Sequence, residues 1–387
     1  MDTVILDFYW RLCQYPWHII FNFIVAVVFY ALSLYVGLAG RLLNGEQCFS
    51  VLRMIIKHPV GSLILNLLAG YVSISILVVL LSVPVLLNKG IIFNVLGYSF
   101  FFWFVLFPLH MTAVSVRRGM DIGWRVAILA CSIALLTAAW SSLFYFPYHL
   151  KIRNVVMRTN YVQQPFRIVH LADIQAERFG KRDADVVAFV NSAQPDLVLI
   201  SGDLFSRPLD YNQGGFMASV RMLHEIKATH GILFVEGHHD QGAADAILKE
   251  FKTGVRFLKD EWVDIDAPDA AVSVFGTALE SGCAGLRGTD KRGRFAICLS
   301  HGPVNPLLFP SGTCDLALFG HTHAGQVYLP VVSRMLCGKY RHGEFLLNGM
   351  KLIVNAGIGT EGHLSPRIRW FTWPEIVVID LLPGTGK

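Results

Sequence analysis

Charge is scarce in this chain: only 16% of its 387 residues are Asp, Glu, Lys or Arg, against 53% hydrophobic residues. A water-soluble globule carries about a quarter of its residues charged, so that description fails for the chain as a whole. The shortage is uneven. Residues 1 to 150 hold 8 Lys and Arg and 4 Asp and Glu, while residues 151 to 387 hold the remaining 25 and 24. The net charge of +5 therefore divides as +4 and +1. The second part lacks a strongly basic surplus, and a nucleic-acid partner is not expected. The seven cysteines, at 13, 48, 131, 283, 298, 314 and 337, are odd in number and include no C-x-x-C pair. Their scatter argues against a disulfide framework or a zinc knuckle.

What the first 150 residues do have is long apolar runs, at 19 to 39, 62 to 87, 92 to 116 and 126 to 148. Each is near the roughly 20 residues that a helix needs to cross a bilayer. The expectation is a membrane region with about four spans at 1–150 and a soluble region at 151–387. The first run exceeds a signal-peptide core and lacks a clean small-residue cleavage site, so it reads as a retained anchor. Aromatic residues including Trp17, Trp103, Trp124, Trp140, Tyr145 and Tyr148 include several near the ends of these runs, where amphipathic rings favour the interface. Basic residues in the loops at 40 to 61 and 117 to 125 slightly outnumber those on the other side. The positive-inside rule then puts the soluble region outside the cytoplasm, on a multi-pass protein of the cell membrane. Polar groups within the spans are few, His110 and Asn66 among them, which suits an anchor better than a transporter.

Beyond residue 150 the chain alternates short β-rich runs with helical ones, after a polar connector at Arg153 to Gln164. Strands are expected at 166–172, 196–200, 231–235, 271–275, 295–299, 316–319, 352–354 and 376–381, and helices near 182–193, 215–229 and 243–253. Five polar clusters follow strand-like runs: Asp173-Ile174-Gln175, Gly202-Asp203, Gly237-His238-His239-Asp240, Ser300-His301-Gly302-Pro303 and Gly320-His321-Thr322-His323. Loops at the C-terminal ends of strands are rigid mounts that can gather such residues around one point. Carboxylates hold hard divalent cations, imidazoles suit zinc, iron and manganese, and one carboxylate can bridge two metals. The i, i+2 spacing of His321 and His323 would send two imidazoles to neighbouring ions if the turn twists between them. His170, His224, His230, His342 and His363 lack such surroundings and read as structural or surface residues, with His342 and His363 open as substrate contacts. Ser201 and Ser300 stand outside any G-x-S-x-G turn, which disfavours serine-nucleophile chemistry.

In their order and spacing these clusters resemble the signature of the calcineurin-like metallophosphoesterase superfamily, D-x-H, G-D, G-N-H-D/E, a lone His and G-H-x-H. The resemblance covers 166–382; the G-H-T-H-A-G-Q-V run at 320–327, the segment 338–343 and the segment 355–360 look like its membrane-associated bacterial branch. It implies an α/β fold, a four-layer α-β-β-α sandwich, with two divalent metal ions at its edge, Mn²⁺ first and Zn²⁺ or Fe as alternatives. One ion would take Asp173, Asp203 and His323 and the other Asp203, His301 and His321, with Asp203 bridging. His239 falls at the family's catalytic histidine, with Asp240 suited to orient it. The implied reaction is attack of a metal-activated hydroxide on phosphorus.

Two departures stand out: Gln175 occupies the place of the usual His, and His238 that of the usual Asn. Both still offer ligand atoms, Gln175 making the first site richer in oxygen and His238 the second richer in imidazole. An anchored phosphoesterase favours a phosphodiester or pyrophosphate that itself sits in the bilayer. Arg334, Lys339, Arg341, Arg367 and Arg369 are candidates for a second phosphate, Arg341 and Arg367 foremost, and Trp370, Phe371 and Trp373 for the interface. The competing expectation is a catalytically impaired metal-binding sensor or membrane scaffold, for which Gln175 is the best support.

Overall fold

The computed structural model describes residue 97 and residues 100–117, 120–206, 213–251, 253–279, 293–302, 312–328, 339–347, 349–362 and 366–384. The chain divides into two compact units, one of residues 1–143 with Gly362–Arg367, the other of Phe144–Glu361 with Ile368–Lys387. Expected spans at 19–39 and 62–87, and Asn66, lie outside the described residues.

In the first unit a π-helical turn, Phe102–Leu106, leads into α1 (Phe107–Arg117), and α2 follows at Ile122–Trp140. The helical run Ile122–Tyr148 is the one stretch among the described residues long and apolar enough to cross a membrane; of the four expected spans only the last and part of the third fall among those residues. Ile122, Trp124, Val126, Leu129 and Ile133 are all exposed on α2, an outward apolar surface unusual for a helix in water. Two hydroxyls tie α1 to α2. Ser132 Oγ donates to Pro108 O at 3.1 Å and lies 3.0 Å from Thr112 Oγ1, the kind of small polar link that joins helices where apolar burial drives nothing.

The second unit is built on two mixed six-stranded sheets. The first runs β1-β12-β2-β3-β4-β5 and the second β10-β11-β9-β8-β7-β6. The strands are β1 (Lys151–Thr159), β2 (Phe166–Leu171), β3 (Leu197–Ile200), β4 (Ile232–Phe234), β5 (Val255–Phe257), β6 (Glu261–Ala267), β7 (Ala270–Gly276), β8 (Phe295–Ser300), β9 (Leu316–Phe319), β10 (Gly343–Leu347), β11 (Met350–Val354) and β12 (Glu375–Pro383). Strands covered on both faces read as unbroken apolar runs; β3, Leu-Val-Leu-Ile, and β9, Leu-Ala-Leu-Phe, are buried throughout. β1 is different. Its Lys151-Ile-Arg-Asn-Val-Val-Met-Arg-Thr buries only Val155, because it is an edge strand paired on one side, in parallel, with β12. Charged residues are a normal guard for such an edge, and they are why residues 153–164 read as a connector.

Between the sheets lies a core contributed by both, including Ile168, Leu199 and Ile379 from the first and Val274, Ile297 and Leu318 from the second. α3 (Lys181–Ala193), α4 (Gln213–Glu225) and α5 (Ala244–Lys249) cover the outer face of the first sheet, burying Val186, Val190, Met222 and Ile247. The outer face of the second sheet carries a separate cluster with Phe275, Phe319, Leu352 and Val354. No α-helix among the described residues covers it, so three of the four expected layers are on view. Cys298 and Cys314 in this cluster are paired as a disulfide, a single bridge rather than the framework that the scattered cysteines argued against. The pair was invisible in spacing because it staples adjacent strands rather than building a framework.

Candidate metal centre

Six parallel strands, three from each sheet, deliver the site. β2, β3 and β4 of the first sheet and β9, β8 and β11 of the second all point their C-terminal ends to one edge. Asp173 and Gln175 follow β2, Asp203 follows β3, and His238 and His239 follow β4; His301 follows β8, and His321 and His323 follow β9. Asp173, Gln175, Asp203, His321 and His323 all have positive φ, between 45° and 67°. Left-handed backbone costs a non-glycine residue about 1–3 kcal/mol and persists where the surrounding fold enforces it, commonly at functional sites. Five such residues in one cluster mark this edge.

Neighbouring backbone comes close enough to enforce it. A side chain on Gly357, itself at φ +71°, would meet the Asp173 carboxylate at 2.8 Å. The carboxylate instead accepts the His321 N–H at 2.8 and 3.0 Å. Asp203 Oδ1 accepts the His239 N–H at 2.9 Å, and its Oδ2 lies 3.4 Å from His301 Nε2. His301 Nδ1 lies 2.8 Å from Ser201 O, so that nitrogen donates and Nε2 keeps its lone pair. That is the usual posture of a metal-binding imidazole, steadied from behind by a carbonyl. His301 Nε2 also lies 3.2 Å from His321 Nδ1. Ligand atoms of Asp173, Asp203 and His301 fall within 4.8 Å of one another, and so do those of His238, His301 and His321. His323 Nε2 is 3.9 Å from Asp173 Oδ1 and 3.2 Å from Gln175 Nε2.

The electrostatics fit a cage for cations. Burial, reinforced by Asp203, pushes the Asp173 carboxyl well above the usual carboxylate range, and burial raises Asp203 as well. Burial lowers the imidazoles, His301 and His321 to about 4 and His323 to about 3, the last helped by Arg369. Neutral imidazoles expose lone pairs and crowded carboxylates gain from a nearby cation, the two conditions that divalent-ion binding needs. Gln175 Oε1 is buried with no hydrogen-bond partner among the described residues, an orphan acceptor that an ion would satisfy. The donor set fits a divalent metal.

Around the cage the roles differ from several expectations. Asp240 does not hold the His239 ring: its carboxylate accepts the N–H groups of Leu204 at 2.7 Å and Gly237 at 3.1 Å, tying two ligand loops together. Burial and the neighbouring Asp203 raise it to about 7. The group that engages His239 is Glu361, whose Oε1 sits 2.7 Å from His239 Nε2 and accepts from Gln175 Nε2 at 2.6 Å. Burial alone would lower His239; the hydrogen bond to Glu361 and the charges of Asp203 and Glu361 raise it instead to about 9. Glu361 follows β11 by the same rule as the other site residues, an acid after an apolar strand, one residue past the 355–360 segment singled out in the sequence.

Arg369 is no phosphate ligand either. It is fully buried, and its guanidinium donates to the carbonyls of Ala356, Gly357, Gly359 and Trp373, with Nη2 3.4 Å from His323 Nδ1. Arg341 lies over the Tyr328 ring, and its carbonyl accepts from Thr322 Oγ1, beside His321 and His323 in the chain. Arg367 falls in the stretch that groups with the first unit. His342 joins Arg153 and Glu375 in a hydrogen-bonded ion cluster, with His342 Nε2 3.1 Å from Glu375 Oε2 and 2.9 Å from Arg153 Nη2, a structural role. Arg334 and His363 lie outside the described residues.

Comparison with known proteins agrees with this geometry. Residues 166–325 match the calcineurin-like phosphoesterase family. The chain is similar to the uncharacterized metallophosphoesterase Cj0846 of Campylobacter jejuni, 26% identical over 67% of this chain and 69% of that protein. It is also similar to the phosphodiesterase YaeI of Escherichia coli, 25% identical over 56% of this chain and 83% of that protein. A bovine transmembrane protein with a metallophosphoesterase domain is 27% identical over 46% of this chain and 45% of its own length. The matched residues begin with β2 and end at the turn that carries His321 and His323, so this chain bears a calcineurin-like metallophosphoesterase domain, the domain of metal-dependent phosphoric ester hydrolases.

Proposed function

We propose that this protein is a membrane-anchored phosphoesterase that uses two divalent ions, Mn²⁺ foremost, to hydrolyse a phosphodiester or pyrophosphate bond in a lipid-linked substrate outside the cytoplasm. The observation that carries the reaction type is the pair of ligand groups that meet at His301, Asp173–Asp203–His301 and His238–His301–His321, each with its ligand atoms within 4.8 Å of one another. Asp173, Asp203 and His323 would hold one ion, and Asp203, His238, His301 and His321 the other. Bound there, the ions would supply positive charge to the phosphoryl oxygens and make water a nucleophile near neutral pH. His239, held as a cation by Glu361 and Asp203, has a proton to give to the departing ester oxygen or to a charged phosphoryl oxygen. Asp240 keeps the loops bearing Asp203 and His239 in register.

Two features support the lipid. The exposed apolar face of α2 suits hydrocarbon, and the bovine relative is named for its transmembrane character. Within the second unit, Phe146 packs on Trp373 and Phe371 with ring centroids 5.1 and 5.4 Å apart, and Lys151 Nζ lies 3.4 Å from the Trp373 ring centre. Aromatic rings beside a lysine are the composition of a membrane-interface belt, and Phe371 is half exposed. The Cys298–Cys314 disulfide accords with an oxidising compartment.

The test is hydrolysis by the detergent-purified, Mn²⁺-loaded chain of a soluble diester, bis-p-nitrophenyl phosphate, beside a phospholipid diester in mixed micelles. Turnover that Asp203→Ala abolishes, with the micellar substrate preferred, is expected. Metal-dependent turnover confined to the soluble diester removes the lipid from the proposal. No turnover with any divalent ion returns the chain to the sensor or scaffold reading that Gln175 supports.

A further inference from the structure

The family resemblance places a histidine where this chain has Gln175, and the structure puts a carboxylate beside that position. Gln175 Nε2 donates to Glu361 Oε1 at 2.6 Å, and ligand atoms of Glu361, Asp203 and His239 lie within 4.8 Å of one another. The placement of Glu361 is not incidental. The Gln326 side chain clamps its backbone on both sides, Oε1 accepting the Glu361 N–H at 2.7 Å and Nε2 donating to Glu361 O at 3.1 Å. Gln326 is itself buried, at positive φ, three residues beyond His323. The turn that presents His321 and His323 therefore also presents Glu361. With the Gln175 amide N–H committed to Glu361, the amide oxygen is left buried and unpartnered, available to an ion.

We infer that Glu361 is a ligand of the first metal ion, supplying the donor atom that an imidazole at position 175 would otherwise bring and adding a negative charge, with Gln175 holding it in place. This rests on the two-metal reading above and refines it. The first site then comprises three carboxylates, Asp173, Asp203 and Glu361, one imidazole, His323, and the Gln175 amide oxygen. Such an oxygen-rich set selects hard ions, Mn²⁺ or Mg²⁺, while the second site, with His238, His301 and His321, keeps the nitrogen character that suits Zn²⁺ or Fe. One chain would thus carry two sites of opposite preference.

The experiment is metal titration of the full chain in detergent, followed by Mn²⁺ electron paramagnetic resonance and metal analysis, for the parent, Glu361→Gln and Glu361→Gln with Gln175→His. The parent is expected to bind two Mn²⁺ with a spin-coupled signal. Glu361→Gln should weaken one of the two at least about 10-fold, the size of effect seen when outer metal partners are lost, and convert the signal to that of an isolated ion. Gln175→His in that background should restore the second ion and raise its preference for Zn²⁺. Thermal unfolding of the metal-free proteins checks the fold, and Glu361→Gln should match the parent there. Two Mn²⁺ bound to Glu361→Gln with parental affinity and coupling would overturn the inference while leaving the two-metal reading standing; a parent that binds no metal at all would overturn both.

Discussion

Gly237→Ala should disable the metal centre without unfolding the protein. A β-carbon built on Gly237 would sit 2.1 Å from Asp203 Oδ1 and 2.3 Å from Asp203 N, where ordinary contact begins at 3.4 Å. The overlap is roughly 1.3 Å and falls on backbone as well as carboxylate, so rotating the Asp203 side chain cannot relieve it. Overfilling a tight site costs about 1–3 kcal/mol, which for a unit of this size corresponds to a fall of roughly 2–4 °C in Tm per kcal/mol. Function should suffer more, because a misplacement of about 1 Å in a positioned group costs on the order of 100-fold in rate. The assay pairs Mn²⁺-dependent diester hydrolysis and metal content with thermal unfolding. Gly302→Ala is the control: it lies beside His301, yet among the described residues nothing stands within 4 Å of the added carbon, and its rate should stay within about 2-fold of the parent. A Gly237→Ala protein with parental rate and metal content would refute the claim that the two loops are locked at that distance.

Three further outcomes are expected. His239→Ala should lower kcat by about 100- to 10,000-fold while metal analysis shows the ions retained; loss of both together would reassign His239 to the cage. His170 is fully buried with Nε2 2.9 Å from Ser201 Oγ, and burial lowers it to about 3. The unfolded chain then takes up a proton near pH 6.5 that the folded chain refuses, so this group erodes stability as pH falls from about 6.5 to about 3, by up to about 1.4 kcal/mol per pH unit. Denaturant unfolding of His170→Gln should show a shallower decline with falling pH, and a decline as steep as the parent's counts against it. Peptide mapping after alkylation in native membranes should recover Cys298 and Cys314 as a bonded pair; finding both alkylated would argue for a reducing compartment and against the proposed side of the membrane.

Much of the second unit was legible because its central strands are apolar on both faces. The runs at 316–319 and 166–172 announced β9 and β2 almost to the residue, and the polar residues after them announced the loops. Strands with one covered side were not legible: β1, β6 and β10 mix charge and apolar residues as edge or near-edge strands do, and short β5 offers only three residues. Site residues with a motif of their own were found, whereas Glu361 was missed because its only signal was its place after β11. Arg369 misled for the opposite reason. Its charge suggested a phosphate partner, but its partners are backbone carbonyls, and a guanidinium used as an internal clamp looks the same in sequence as one facing solvent.

The order of strands in the first sheet carries a consequence for biosynthesis. β12, the last of the described strands in chain order, is inserted between β1 and β2, with Val377 opposite His170 and Glu375 opposite Lys151. A nascent chain that has already emerged through β4 must therefore hold two raw strand edges apart until residues 375–383 arrive. Closure at such long range is slow, and open edges invite pairing with other chains. A stalled or truncated product ending before Glu375 should be the form of this protein that aggregates, and fusions at the C-terminus need a spacer long enough to leave β12 free to enter its slot.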